Sequence, residues 1–433
     1  MKDKYVLFWH RRDLRITDNV GLHNALTSGY KVIPLFIFDS DILDKLPEDD
    51  ARVTFIHQEL EKINHTLKKQ DASIAVKHGK PVEVIKELIN SFSVVAVYTN
   101  RDYEPYASQR DEEIATLLKD HDVEFKTFKD QVIFEQDDIV KDDGDPYVVY
   151  TPYSKKWLAT LKEEDYKSVD CEFHSENYAN ESFDFPSLED IGFKESNIKV
   201  LPYTITDQRI DNYEDTRNFP AIEGTSRLSP HLRFGTISVR QCVQNGLESE
   251  NNTFLKELVW REFFMQILWH FPKSVTNNFR SKYDGIQWRN NEEEFKAWCE
   301  GKTGYPLVDA GMRELNKSGY MHNRVRMLTG SFLCKHLLID WTWGEAYFAK
   351  KLLDFDLAQN VGNWQWVAGT GCDASPYFRI FNPTTQIKKF DKDHIYIKKW
   401  VPDYQEFSYP KPIVEHKFAR ERCLEKYKSG INS

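Results

Sequence analysis

A chain of 433 residues with 40% hydrophobic and 14% aromatic content has enough apolar mass for two or three domains. No apolar run approaches membrane-spanning length, the basic N-terminus MKDKYVLFWHRRDLR lacks a secretory h-region, and the six cysteines (171, 242, 299, 334, 372, 423) form no CxxC pair, which argues against a membrane span, a disulfide framework and a zinc site and for a reducing cytoplasm. The net charge of −10 is uneven: residues 1–200 carry 26 Lys and Arg against 40 Asp and Glu, residues 201–433 carry 32 against 28, so a polyanion would dock on the C-terminal part.

In chain order, Tyr5–Trp9 reads as a buried first strand. Lys31–Phe38, Ser73–Lys77, Val94–Tyr98 and Val123–Phe128 read as further strands, with helical patterns at Ala51–Gln70 and Pro81–Ser91 between them. This alternation predicts an α/β domain with a parallel, Rossmann-like sheet over residues 1–130. No GxGxxG follows the first strand, so the dinucleotide fingerprint is absent. His10-Arg11-Arg12-Asp13-Leu14-Arg15 comes directly after that strand, where such sheets bind ligands, but its spacing alone reads as a solvated charged loop. Residues 131–200 are acidic and irregular and read as a connector. From Leu201 to residue 433 the pattern is helical almost throughout (Phe254–Phe271, Tyr305–Ser318, Asn323–Ile339, Thr342–Leu353), which predicts a larger all-α domain. That domain holds nine of the eleven tryptophans, only Trp9 and Trp157 lying before it.

Within it, Leu353–Thr385 combines the carboxylates Asp354 and Asp356, several amides, and Trp364 and Trp366. Asn360 and Trp364 stand one helical turn apart. Glu257, Trp260 and Arg261 share another helix face, and Asn323, Arg324, Arg326 and Met327 form a second such group. Either could be an exposed salt-bridging face, or could hold a flat polar ligand beside a phosphate. The turn Gly224–Pro230 reads as a capped helix start with Ser229 as N-cap and Pro230 in the first helical position, a fold of backbone that suits phosphate. HExxH, GxSxG, the Walker lysine motif and His/Cys metal-ligand spacings are all missing, so chemistry here would come from an organic cofactor and no metal is expected.

Together the motifs resemble the photolyase/cryptochrome family, closest to the microbial class I enzymes that split cyclobutane pyrimidine dimers. The likeness runs through FWHRRDLRITDNVGL (8–22), NRDYEPYASQRD (100–111), TSRLSPHLRFGTIS (225–238), ELVWREFFMQIL (257–268), MHNRVRM (321–327), DFDLAQNVGNWQW (354–366) and PYFRIFNPTTQ (376–386). It implies an α/β domain joined to a larger helical domain that binds FAD. Tyr213, Thr225, Ser226, Arg227, Leu228 and Ser229 would then hold the phosphates and ribityl chain. Asp354, Phe355 and Asp356, with Arg326 pairing Asp354, would hold the far side, Phe254 would pack near the FAD, and Asn360 would lie against flavin N5. Trp364, Trp341 and Trp288 would form the tryptophan chain that carries electrons to oxidised flavin. Glu257, Trp260, Asn323, Met327 and Trp366 would line a pocket for the flipped-out dimer, with Glu257 bonding to its base edges. Arg217, Arg261, Arg324 and Arg379 would grip phosphates, with Gln386 on the same surface.

Three departures stand out. Phe254 replaces a frequent tryptophan, Phe355 replaces a small residue between the two aspartates, and Tyr106-Ala107 occupy the place of the folate-antenna glutamate. A second, antenna chromophore therefore stays open: a deazaflavin, another flavin, or none. The implied protein is a cytoplasmic monomer acting on damaged DNA, single- or double-stranded, with no membrane partner. The alternatives are a blue-light-sensing cryptochrome without repair and a six-four photolyase. The cryptochrome is argued against by the retained pocket residues, and the six-four enzyme by MHNRVRM, which has His322 but no histidine pair.

Overall fold

The computed structural model describes residues 4–432. The chain divides into two compact units that interleave along the sequence. The first takes residues 1–135, 160–203 and 227–248; the second takes 136–159, 204–226 and 249–433. The segment read as a connector is thus shared, 136–159 belonging to the second unit and 160–203 to the first.

The first unit is built on five parallel strands, β1 (Tyr5–His10), β2 (Lys31–Asp39), β3 (Ala75–Gly79), β4 (Val94–Asn100) and β5 (Glu124–Phe128), in the order β3-β2-β1-β4-β5. Central β1 is apolar along its length because both of its faces are covered, as in parallel sheets generally. Pro34 sits inside β2 opposite Phe8, but the β2–β3 pairing begins only at Leu35, so the missing N–H falls outside that ladder.

The strand order reverses between β1 and β4, and there the loop His10–Arg15 corrects the sequence reading. It is not solvated: His10, Arg12, Asp13 and Arg15 are all buried. Asp13 accepts hydrogen bonds from Asn19 (3.1 Å) and Asn100 (2.6 Å), and Asn100 in turn accepts from the backbone of Gly21 at 2.9 Å. A side chain at Gly21 would collide with that Asn100 oxygen. Arg15 and Arg240 share the buried Asp130 at 2.5 and 2.9 Å. Burial opposes the charge on Asp130, yet the two guanidiniums outweigh it and hold the carboxyl below its ordinary range. In the same unit, the helix Ser229–Phe234 begins one residue earlier than expected: Leu228 is in the cap position, Ser229 opens the helix and Pro230 follows.

The second unit is helical, with no strand among its described residues. Its core gathers Trp298, Leu315, Phe332, Trp341, Trp364 and their neighbours. The helix expected over Asn323–Ile339 is broken: α-helix runs over Asn323–Ser331, a single π-helical turn takes Phe332–His336, and Leu338 adopts a left-handed φ of +50°. Residues 150–160, read as irregular, form a helix whose Tyr153 and Trp157 are buried against the helix Thr253–His270. No helix among the described residues is long and apolar enough to cross a membrane.

Candidate functional site

Three helices of the second unit, Asn323–Ser331, Trp341–Lys351 and Leu357–Ala368, converge on one cavity. Its lining brings together nine residues singled out from the sequence: Asn323, Arg326, Met327, Asp354, Phe355, Asp356, Asn360, Trp364 and Trp366. Residues read as flavin ligands and residues read as dimer contacts therefore line the same space.

The polar side of the cavity is well ordered. Arg326 makes two parallel bonds to Asp354, at 3.1 and 2.8 Å, and a third to the Met321 carbonyl at 2.7 Å. Burial works against the guanidinium charge, and the adjoining Asp354 carboxylate more than compensates, raising the Arg326 pKa. Asp356 precedes the helix Leu357–Ala368, and its carbonyl accepts the Asn360 N–H at 2.9 Å. The Asn360 amide donates to the Glu345 carboxyl (2.8 Å) and to the Glu345 carbonyl (3.1 Å), which leaves the amide oxygen to face other partners. Burial raises the Glu345 pKa, a shift that the bond from Asn360 opposes. Asn323 reaches Met327 one turn later, its amide 3.9 Å from the sulfur. Gln359 donates to the Arg261 carbonyl at 2.8 Å, and its own side-chain oxygen is buried without a hydrogen-bond partner.

Glu257 and Trp260, read as pocket residues, are not among the side chains lining this cavity. Arg217 forms an ion pair with Glu257 and lies over the Tyr213 ring at 5.6 Å, and Tyr213 meets the buried Phe254 edge-on at 5.9 Å. Trp260 is stacked by Tyr150, centroids 3.6 Å apart and planes 7° from parallel. Arg324 bonds to Asn218 and lies over the Phe390 ring at 4.4 Å. Arg379 is exposed, and its carbonyl accepts from the buried Lys335 at 2.9 Å. Gln386 lies on the short helix Pro383–Phe390.

The three tryptophans of the proposed chain differ in exposure: Trp364 and Trp341 are buried and Trp288 is half-buried. Trp364 fits because Gly344 has no side chain; a Cβ there would come within 2.1 Å of the indole. Trp341 donates its indole N–H to Asn278 at 2.9 Å, and Trp288 packs edge-on against Tyr427.

Thr225 and Ser226 close the second unit's segment 204–226. The Thr225 carbonyl accepts from Arg209 at 2.9 Å, and the Ser226 carbonyl accepts from the Thr204 N–H at 2.9 Å. Arg227, Leu228 and Ser229 fall in the first unit, where Arg227 takes a left-handed φ of +55°.

The sequence reading missed Tyr150, Glu345 and Gln359. Tyr150, Tyr153 and Trp157 stand at i, i+3 and i+7, an aromatic stripe of helical spacing that could have revealed the helix. Glu345 had no such signal, because its partner Asn360 lies on another helix. Among the described residues no group of three His, Cys, Asp or Glu side chains could hold a metal ion.

An FAD fits this donor set. The cavity holds about 110 Å³, below the roughly 300–1,000 Å³ of common ligand pockets, so the fit rests on chemistry: an aspartate pair held by Arg326, an amide anchored by Glu345, and aromatic walls. Comparison with known proteins agrees. Residues 254–408 match the family described as the FAD binding domain of DNA photolyase, and residues 6–170 match the DNA photolyase family. A deoxyribodipyrimidine photo-lyase of Synechococcus sp. is 36% identical over 468 residues, covering 96% of this chain and 95% of its own. A class III photolyase of Agrobacterium tumefaciens superposes with a TM-score of 0.88 at 34% identity, covering 100% of this chain and 99% of its own. An archaeal photolyase of Sulfolobus tokodaii, solved with two FAD molecules, gives 0.82 at 33% identity over 98% of this chain and all of its own. The likeness thus extends to class III as well as to the class I motifs. By sequence and by fold, the chain belongs to the DNA photolyase family.

Proposed function

We propose that this protein uses light to repair cyclobutane pyrimidine dimers in DNA. The carrying observation is that Arg326, Asp354, Asp356 and Asn360 line the same cavity as Asn323, Met327 and Trp366. When bound and reduced, FAD supplies the light absorption and the electron that splits the dimer and returns afterwards, so the net redox change is zero.

The chain's own groups prepare that event. Arg326 and Asp354 fix one another as a rigid polar wall, and Glu345 aims the Asn360 amide. Trp260, Trp366 and Met327 offer apolar surface to a flipped-out lesion. Flipping costs a few kcal/mol, less for a lesion that stacks poorly. Glu257, steadied by Arg217, meets the base edges of the dimer. Arg261, Arg324 and Arg379 bind phosphates, which positions DNA without reading its sequence. Trp364, Trp341 and Trp288 would carry electrons from a reductant in solution to oxidised FAD. Tyr213, Thr225, Ser226, Phe254 and Phe355 complete the second unit's FAD contacts, and Gln386 extends the DNA surface. The protein acts as a monomer in the cytoplasm, in keeping with six free cysteines, five of them buried. The two-FAD relative makes a flavin antenna one option beside a deazaflavin.

The test is illumination of the reduced protein with three oligonucleotides: one carrying a cyclobutane dimer, one a six-four photoproduct, one undamaged. Only the cyclobutane dimer should revert. Reversal of the six-four product would favour that alternative, and a flavin-loaded protein that reverts neither would be a light sensor.

A further inference from the structure

Trp260, proposed above to meet the flipped-out lesion, is stacked by a tyrosine that has no role so far. Tyr150 opens the helix Tyr150–Thr160, one turn before Tyr153 and two before Trp157. That helix is pinned to the helix Thr253–His270 at two buried points. Tyr153 packs on Phe263 with centroids 5.2 Å apart, and the Trp157 indole donates to Glu262 at 2.6 Å. Tyr150 is itself held three ways. Its N–H donates to Asp373 at 3.1 Å, its hydroxyl donates to the Lys256 carbonyl at 2.8 Å, and its ring lies parallel to Trp260 at 3.6 Å. Burial pushes the hydroxyl up to about 12, so it stays a neutral donor. Lys256 is one turn before Trp260 on the same helix, so hydroxyl and ring grip one stretch of backbone.

We infer that Tyr150 is a positioning residue for lesion recognition: it backs the Trp260 indole and fixes the plane on which the flipped dimer stacks. A lone indole at the rim of a helix swings about two side-chain torsions, and each swing costs order when a base lands on it. A ring clamped face-to-face by a second one has already lost that freedom, so the lesion does not have to supply it. Undamaged DNA does not reach Trp260 and gains nothing from the clamp. The inference rests on the repair function proposed above.

The experiment measures dark binding of the FAD-loaded protein to dimer-containing and undamaged oligonucleotides for wild type, Tyr150→Ala, Tyr150→Leu and Tyr150→Phe. Stacked aromatic pairs are worth enough to predict about a three- to tenfold loss of lesion affinity for Ala and Leu, with undamaged DNA changed less than about twofold. Phe keeps the ring and should restore lesion affinity to within about twofold of wild type. Leu fills the volume without a ring and serves if Ala does not fold. An equal loss on both DNAs, an unchanged preference, or a tighter grip on the lesion after removal of the ring would overturn the inference. A wild type without lesion preference would instead overturn the repair reading itself.

Discussion

The Arg217 guanidinium is paired with the Glu257 carboxylate at the side of the proposed dimer pocket, 40 residues apart in sequence. Burial opposes the Arg217 charge, and Glu257 more than offsets this and raises its pKa. An arginine expected to grip phosphate therefore also sets the orientation of the carboxylate expected to meet the bases. Both side chains are partly exposed, at 28% and 37%, so the pair contributes little stability, on the order of 0.2–1 kcal/mol.

Its value should appear in repair. Glu257→Ala should lower the yield per absorbed photon more than it lowers DNA affinity, because phosphate contacts dominate binding, whereas Arg217→Ala should lower both yield and affinity. The double variant should lose less than the product of the two single losses, since the residues act as a unit. Yields measured at saturating DNA check this; multiplicative losses would separate the two residues.

Arg324 should behave differently. It is anchored by Asn218 and Phe390, and burial followed by the nearby Arg217 lowers its pKa. Arg324→Ala should weaken lesion-containing and undamaged DNA by similar factors. It should also flatten the slope of log affinity against log salt by roughly 0.9. Salt titrations on both DNAs measure this. A variant that lost lesion preference at the wild-type slope would place Arg324 inside the pocket.

Trp364 occupies a slot that Gly344 leaves open, wedged edge-on against Phe348 at 4.9 Å. Trp364→Phe should slow photoreduction of the oxidised cofactor by at least about tenfold, which corresponds to roughly 1.4 kcal/mol on the barrier. Repair by chemically reduced protein should survive. Flash photolysis and a repair assay on pre-reduced protein separate the two, and joint loss would give Trp364 a part in repair itself.

The features that could be read from sequence were those whose physics is local. Buried parallel strands are continuous apolar runs, and the helix Pro81–Ser91 begins and ends where its pattern does. The cavity residues Asn323, Met327, Asn360 and Trp364 were legible because pairs one turn apart fall on one helix face. The burial of His10–Arg15 was hidden because its neutralising partners, Asp102, Glu104, Asp111 and Asp130, lie 90 to 115 residues away. Tyr150 was hidden by acidic surroundings that resemble a linker, although its aromatic stripe was present. Glu345 and the π-turn at Phe332–His336 depend on packing between helices, which no spacing along one helix reports.

That π-turn carries a pH sensitivity. His336 is fully buried, its Nε2 2.9 Å from His416 Nδ1, and burial, then His416 and Arg422, push its pKa down from 6.5 to about 3. The unfolded chain binds a proton near pH 6.5 that the folded protein refuses until about pH 3. Stability from this site is therefore complete above pH 6.5 and is lost as pH falls toward 3. Replacing His336 by Asn should flatten the decline of the urea midpoint between pH 7.5 and 5 relative to wild type. An unchanged decline would mean that His336 titrates normally.

The central claim is a light-driven cycle that consumes no reductant, run in the cavity shared by Asn360, Arg326 and Trp366. Its most direct test is anaerobic illumination of reduced, FAD-loaded protein with a hundredfold excess of dimer-containing oligonucleotide, following recovery of thymine absorbance together with the flavin spectrum. The account predicts many dimers split per protein, none in the dark, with the cofactor still reduced at the end. Repair that stopped after one turnover with the flavin oxidised, or proceeded without light, would contradict it.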